Sequence, residues 1–461
     1  MQSSEDSRHP SLNIKRFADA FSSRLAVGQP VILAVVGGSI SSPAKREHWD
    51  AFLLRWLNDR FPVNQTRLVD DTEIKEHTLI NAAIPGTESD VSALCLSTLL
   101  ATTKPDLLFI EFGYNDYGIH AATVRDEEDL IATHSAANYE RIVRTALSWE
   151  STSVILLEFA SFDTNWRPLH SAGKPHAEIA QRYGVPIVDI AHFFWAYPQP
   201  QDLLAKQMYS TRDFIHPEPF GHALAATLIA HELLHQLSLL PAMRTRLEPP
   251  SAIGQAWLSA PAGSLPYHGY AQSIPDVSLP ALPLPAARFV ESLSVWRCTL
   301  PRLTAMKSAS AEQSQIQPLI MHGFWYGIDE RDGGHHRSKP RPGYQSDQAG
   351  SLLAWSIPSN TSTAAIFYRR TWQAAGQARA WVSRTLPMVG TTGVPLNAVI
   401  LNGTWDSPST QMSASVISIS KFLDVEAVPA GNVDLYLVIQ HDGAATVEEA
   451  EVYFKVYGFG F

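Results

Sequence analysis

The stretch Asp106–Asp116, DLLFIEFGYND, decides the fold. Its first seven residues are an apolar run of the length of a buried strand, and Gly, Tyr, Asn and Asp follow at once. Turn chemistry accounts for part of this, because Gly, Asn and Asp all suit turns. The other reading is that the Asn115 amide, leaving the carboxyl end of a core strand, is aimed at a reacting atom. The pattern around this stretch repeats from about residue 30 to 240. VILAVV (31–36), TLINAAI, DLLFIEF, SVILLEFA and PIVDIAHFF are strand candidates. AKREHWDAFLLRWLNDRF, SDVSALCLSTLLATT (capped by Ser89 and Asp90), SAANYERIVRTALSW, PHAEIAQRYG and FGHALAATLIAHELLHQLSLL have helical spacing. Strand and helix in alternation predict a parallel sheet covered by helices on both faces.

The texture changes after residue 245. Prolines crowd EPPSAIGQAW…LPALPLPAARF, which reads as a connector over residues 246–290. From 291 to 461 the helical pattern gives way to β-branched and aromatic runs such as SLLAWSIP, TAAIFYRRTW and VDLYLVIQHD, punctuated by Gly, Asn and Pro. These predict a small all-β domain, a sandwich. A chain of 461 residues is longer than one core normally serves, which agrees with a first domain over 1–245 and a second over 291–461.

Composition narrows the function classes. Charged residues are 17% of the chain and the net charge is -10, with no cluster of Lys and Arg, which disfavours nucleic acid as a partner. No apolar run approaches the roughly 20 residues that span a bilayer. MQSSEDSRHPS shows no apolar segment of a signal peptide, whereas sequons at Asn64, Asn360 and Asn402 point toward the secretory pathway. Two cysteines make no disulfide framework, and Cys95, set in SALCLSTLL, reads as a small buried thiol; whether it pairs with Cys298 stays open.

In a parallel α/β sheet, ligands bind outside the carboxyl ends of the strands. VILAVV exits into GGSIS with Ser39, TLINAAI into PGTES with Gly86, and DLLFIEF into GYND with Asn115. RDFIHPEPFGH, before the last helix, offers Asp213 and His216. This set meets the needs of nucleophilic acyl transfer: a hydroxyl (Ser39), a base to take its proton (His216), and a carboxylate to orient that base (Asp213). The N–H groups of Ser39 and Gly86 and the Asn115 amide would serve as oxyanion donors. Asp116 reads as a residue that holds the loop through backbone amides.

GGSIS, IPGTE, GYND and DFIHP, in that order, resemble the four sequence blocks of the SGNH (GDSL-type) hydrolases. The resemblance covers about half of the chain and implies a flavodoxin-like α/β/α domain and a serine esterase that needs no cofactor and no metal. GGS stands where GDS is commoner in that family. A small acyl group, acetyl above all, on a carbohydrate is the expected substrate. A short-chain lipid or small-molecule esterase, or a carbohydrate-binding or cell-surface protein with a vestigial hydrolase domain, remains open.

Two further motifs have competing readings. HELLH (His231–His235) matches a helical zinc motif, but the histidines fall opposite Ile229, Leu233, Leu237 and Leu240, and no third ligand follows; a solvated stripe is expected. GFWYGIDERDGGHHRSKPRPGYQ crowds aromatic residues that serve either as sugar-stacking platforms or as sandwich core, and His335 and His336 read as loop surface.

Overall fold

The computed structural model describes residues 16–42, 48–69, 72–100, 103–118, 128–162, 173–191 and 201–238 except 212. Further along it describes 298–299, 318–328 except 323, 342–359, 361–371, 376–387, 394–402, 410–419, 435–443 and 454–460, with a few single positions besides. The connector expected over 246–290 lies outside the described residues, as do His335, His336 and Asn360. The chain divides into two compact units, Met1–Pro85 with Leu100–Leu293, and Gly86–Leu99 with Ser294–Phe461.

In the first unit, strands β1 (Ile32–Gly37), β4 (Thr78–Asn81), β5 (Leu107–Glu111), β6 (Ser153–Glu158) and β7 (Ile187–Asp189) form one sheet in the order β4-β1-β5-β6-β7, every pair parallel. A short antiparallel hairpin, β2 (Arg67–Val69) and β3 (Thr72–Ile74), lies outside this sheet. Strands buried on both faces read as continuous apolar runs, which is why ILAVVG, LLFIE and SVILLE show no alternation. One face buries Val35, Phe109 and Leu157 against Trp49 and Leu53 of the helix Trp49–Arg60 and Leu233 of the helix Pro219–Ser238. The intervening residues Ala34, Leu108 and Leu156 are fully buried too. This strand order reverses direction at β1, since β4 lies on one side of it and β5 to β7 on the other. Ligand crevices in such sheets form outside the strand ends at that reversal, between β1 and β5. Ser39 leaves β1 there, and Asn115 leaves β5.

The second unit carries two antiparallel sheets. One runs β10 (Trp325–Ile328), β11 (Pro342–Ser346), β18 (Phe454–Gly460), β13 (Thr363–Thr371) and β16 (Thr410–Ser418), with β8 (Cys298–Thr299) also on β18. The other runs β15 (Val399–Asn402), β14 (Gln377–Ser383), β17 (Leu435–Gly443), β12 (Leu352–Ile357) and β9 (Ile320–His322). Ile366, Tyr368 and Phe459 of the first sheet share a core with Trp355, Val382 and Leu437 of the second, the face-to-face packing of a sandwich. Within the aromatic segment, Phe324 and Tyr344 are buried in this core and Tyr326 is the more exposed partner stacked beside Tyr344, ring centroids 5.0 Å apart.

One expectation is corrected. Cys95 is not a thiol: it forms a disulfide with Cys298, 203 positions away, with a Cα–Cα distance of 5.6 Å. The Cys298 N–H also donates to Thr98 Oγ1 at 3.2 Å. Both bonds hold the helix Ser89–Leu99, which joins β4 to β5 along the chain yet belongs to the second unit. A helix buried almost all round reads in sequence as ordinary core, and two cysteines this far apart leave no spacing to read.

Candidate active site

The loop after β1 is shaped by what two glycines let approach. A Cβ on Gly37 would lie 2.6 Å from the Glu111 carbonyl oxygen, so only hydrogen fits while β1 and β5 stay paired. The Gly38 N–H donates to that same oxygen at 3.1 Å. A Cβ on Gly38 would lie 2.0 Å from Asn115 Oδ1; the amide side chain occupies the place where an aspartate of the commoner GDS block would begin. Ser39 follows, half-buried.

The same loop is gripped from behind. The buried His48 spans Asp50 Oδ1, 2.7 Å from its Nδ1, and the Ile40 carbonyl oxygen, 2.8 Å from its Nε2. Asn81 Nδ2 donates to the Ser41 carbonyl at 2.8 Å and to Asp50 Oδ2 at 2.5 Å. Burial works to raise the Asp50 carboxyl, but the bonds from His48, Asn81 and the Ala51 N–H outweigh it and hold it below its ordinary value. Sequence reasoning missed all three residues. An H-x-D pair at a helix start has no distinctive spacing.

Asp213 and His216 come together through a bent turn. Phe214 between them has φ 59°, a left-handed conformation that costs a side chain of this size about 1 kcal/mol or more. Core contacts of the Phe214 ring and three backbone bonds offset that cost: Phe214 N–H to Ser210 O (2.9 Å), Ser210 N–H to His216 O (2.9 Å) and Phe162 N–H to Phe214 O (3.0 Å). Asp213 Oδ1 accepts from the N–H groups of Ile215 and His216, both at 3.0 Å. That leaves Asp213 Oδ2 to accept from His216 Nδ1 at 2.9 Å, and His216 Nε2 to accept from Ser39 Oγ at 2.8 Å. Burial pushes the Asp213 carboxyl up, yet the His216 bond and charge with the two N–H donors prevail, holding it at about 2. The carboxylate is therefore ionised wherever the imidazole needs orienting. Burial, aided by the Asp213 charge, pushes the Tyr114 hydroxyl up to about 12.

Asn115 stands in a single π-helical turn, Tyr114–Gly118, tied by the Asp116 N–H to Phe112 O at 2.8 Å. It is 2% exposed, with its amide against Gly38 and thus one residue from Ser39. Gly86 belongs to the second unit and has φ 61°, the left-handed region open to glycine. Two residues before it, the Ile84 N–H donates to Gly37 O at 2.9 Å. Ser39, Asp213 and His216 are thus one hydrogen-bonded chain, with Asn115 beside it.

HELLH falls elsewhere on the helix Pro219–Ser238. His235 is exposed and His231 half-buried, while Glu232 turns inward and accepts from Gln236 Nε2 at 2.7 Å. Among the described residues no group of three or more His, Cys, Asp or Glu is placed to hold a metal ion.

No curated protein matches the chain in sequence. Two solved structures of a two-domain esterase (CEX) active on acetylated mannans, one co-crystallized with mannopentaose, share its fold. They align with 98% of this chain and 96% and 95% of their own, at 18% identity and TM-scores of 0.55 and 0.56. Residues 35–224 match the GDSL-like Lipase/Acylhydrolase family, a span that contains Ser39, Gly86, Asn115, Asp213 and His216. Over residues 35–224 the chain is thus similar to the GDSL-like lipase/acylhydrolase family, and a C-terminal β domain follows that span.

Proposed function

We propose that the protein is a serine esterase that removes small acyl groups, acetyl first among them, from a carbohydrate. The observation that carries this reading is the continuous chain Asp213–His216–Ser39, at 2.9 and 2.8 Å. In it, Ser39 Oγ attacks the acyl carbonyl carbon while His216 Nε2 takes the hydroxyl proton. Asp213 holds the imidazole tautomer and balances the imidazolium. The oxyanion so formed is met by the Ser39 N–H group and the Asn115 amide. Collapse expels the sugar oxygen, which leaves with the proton from His216. Water then repeats the sequence on the acyl-enzyme, releasing the acid and restoring Ser39.

The carbohydrate assignment draws on the acetylated-mannan esterase whose fold spans nearly the whole chain. The test is acetate release from acetylated mannan and xylan beside hydrolysis of p-nitrophenyl acetate. Ser39→Ala should stay folded, because a half-exposed hydroxyl at a strand end packs little, and should lose both activities. Undiminished turnover by that variant would refute the nucleophile. Turnover of p-nitrophenyl acetate without release from any polysaccharide would confine the protein to other small esters.

A further inference from the structure

Under the turn that carries Asn115 lies a group of ionisable side chains that acyl transfer does not use. Glu111 ends β5, Glu158 ends β6, Asp116 follows Asn115, and His176 comes from the helix Gly173–Tyr183. Each is fully buried. His176 Nδ1 donates to Glu158 Oε1, and His176 Nε2 faces Asp116 Oδ2 at 3.6 Å. The Tyr139 ring, from the helix Glu128–Ser148, lies flat on the imidazole, centroids 3.5 Å apart and planes 12° from parallel. The turn itself rests on this group, since a Cβ on Gly113 would lie 1.9 Å from Glu158 Oε2.

An ionised carboxylate only accepts hydrogen bonds, so an imidazole between two of them is satisfied when both nitrogens carry protons. Burial lowers the His176 pKa, but the charges of Glu158 and Asp116, with the hydrogen bond to Glu158, overcome it and push the ring up to about 9. Glu111 is the third carboxyl. Burial pushes it up to about 8, against the pull of Ser41, with the Glu158 and Asp116 charges adding to the rise. Near neutral pH Glu111 is therefore mostly protonated, and the imidazolium is the cation set between the two remaining carboxylates.

We propose that His176 is a positioning residue for Asn115: by bridging Glu158 on the sheet to Asp116 on the turn, it fixes the peptide that aims the Asn115 amide. The proposal rests on the oxyanion reading of Asn115. Losing the cation leaves two buried carboxyl groups facing each other across the turn with nothing to bridge them, so the turn loses its tie to the sheet.

The experiment is a double-mutant cycle in kcat on p-nitrophenyl acetate with Asn115→Ala, His176→Gln and the pair, each checked by a melting curve. His176→Gln should lower kcat about 10- to 100-fold with KM nearly constant, because the amide acts on the transition state. On the Asn115→Ala background the same substitution should change kcat less than about threefold. Equal losses on both backgrounds would overturn the proposal, as a merely structural role predicts them. A harmless Asn115→Ala would sink the oxyanion reading itself, a distinguishable failure. The wild-type protein gives a second readout free of folding defects. The raised pKa means the tie is present at neutral pH and lost as pH rises through about 9, so kcat, corrected for non-enzymatic hydrolysis, should fall there. Glu158→Gln removes the charge that holds the proton and should move this limb to lower pH. A kcat that stays flat to about pH 10.5 in folded protein would also overturn the proposal.

Discussion

Gly38→Ala isolates the contact on which the oxyanion reading depends. Gly38 does not have a positive φ, so alanine brings no backbone strain there, and the effect is steric alone. The new methyl would lie 2.0 Å from Asn115 Oδ1, 2.7 Å from Cγ and 3.2 Å from Nδ2. Non-bonded heavy atoms settle at about 3.5 Å, so the amide must retreat by about 1.5 Å. The buried Asn115 has little room to rotate without leaving its present line, and a misplacement near 1 Å costs about 100-fold in rate. We therefore expect kcat on p-nitrophenyl acetate to fall about 100-fold, or about 2.7 kcal/mol. That stays within the 10²–10³ ceiling for losing one oxyanion donor outright. KM should hardly move, because the oxyanion exists only past the ground state. Removing the obstructed side chain supplies the control. On an Asn115→Gly background, Gly38→Ala should be nearly silent in both kcat and melting temperature. A folded Gly38→Ala enzyme within threefold of the parent would refute the reasoning and return GGS and GYND to turn chemistry.

Four further outcomes follow. Asp213→Asn keeps acceptors for the Ile215 and His216 N–H groups but presents the wrong partner to His216 Nδ1, so kcat should fall about 10⁴-fold with the fold intact; a loss under tenfold would remove Asp213 from the chain. Because the folded Asp213 pKa is depressed to about 2, its stabilising contribution is whole above about pH 4 and fades only as pH falls toward 2, which melting curves in acid will check. Cys298→Ser, or reduction, opens a loop spanning 203 residues, for which the chain-entropy relation gives about 5 kcal/mol; a melting temperature indifferent to reductant would show that the bond contributes nothing. Activity should withstand EDTA, and a loss restored by zinc would bring His231 and His235 into the mechanism.

Much of the fold was legible because strands and helices leave period and composition in the chain. Each strand of the parallel sheet falls within an apolar run, and the β unit announces itself through aromatic and β-branched runs punctuated by Gly, Asn and Pro. The motif residues were legible for the same reason, since chemistry placed at strand ends inherits the spacing of the strands. Ser39, Asp213 and His216 needed only the order of elements to be brought within reach of one another. The hairpin at residues 67–74 was missed because three-residue strands with intermediate and exposed side chains carry no period.

What stayed hidden is the set of contacts that hold those motifs still. His48 on Ile40, Asn81 on Ser41 and His176 between Glu158 and Asp116 join elements 8 to 60 positions apart through single side chains, and a lone histidine in a helix reads as ordinary core or surface. The Cys95–Cys298 bond is hidden in the same way at 203 positions. The glycine of GGS shows how the two kinds of information meet. In sequence it is a departure from the commoner aspartate, apparently dispensable to the chemistry. In the folded chain it is the one residue small enough to let the Asn115 side chain lie across the loop that carries Ser39. The glycine at position 38 and the amide at position 115 are thus two halves of one steric solution, and once Asn115 is lost, changing position 38 as well should cost little more.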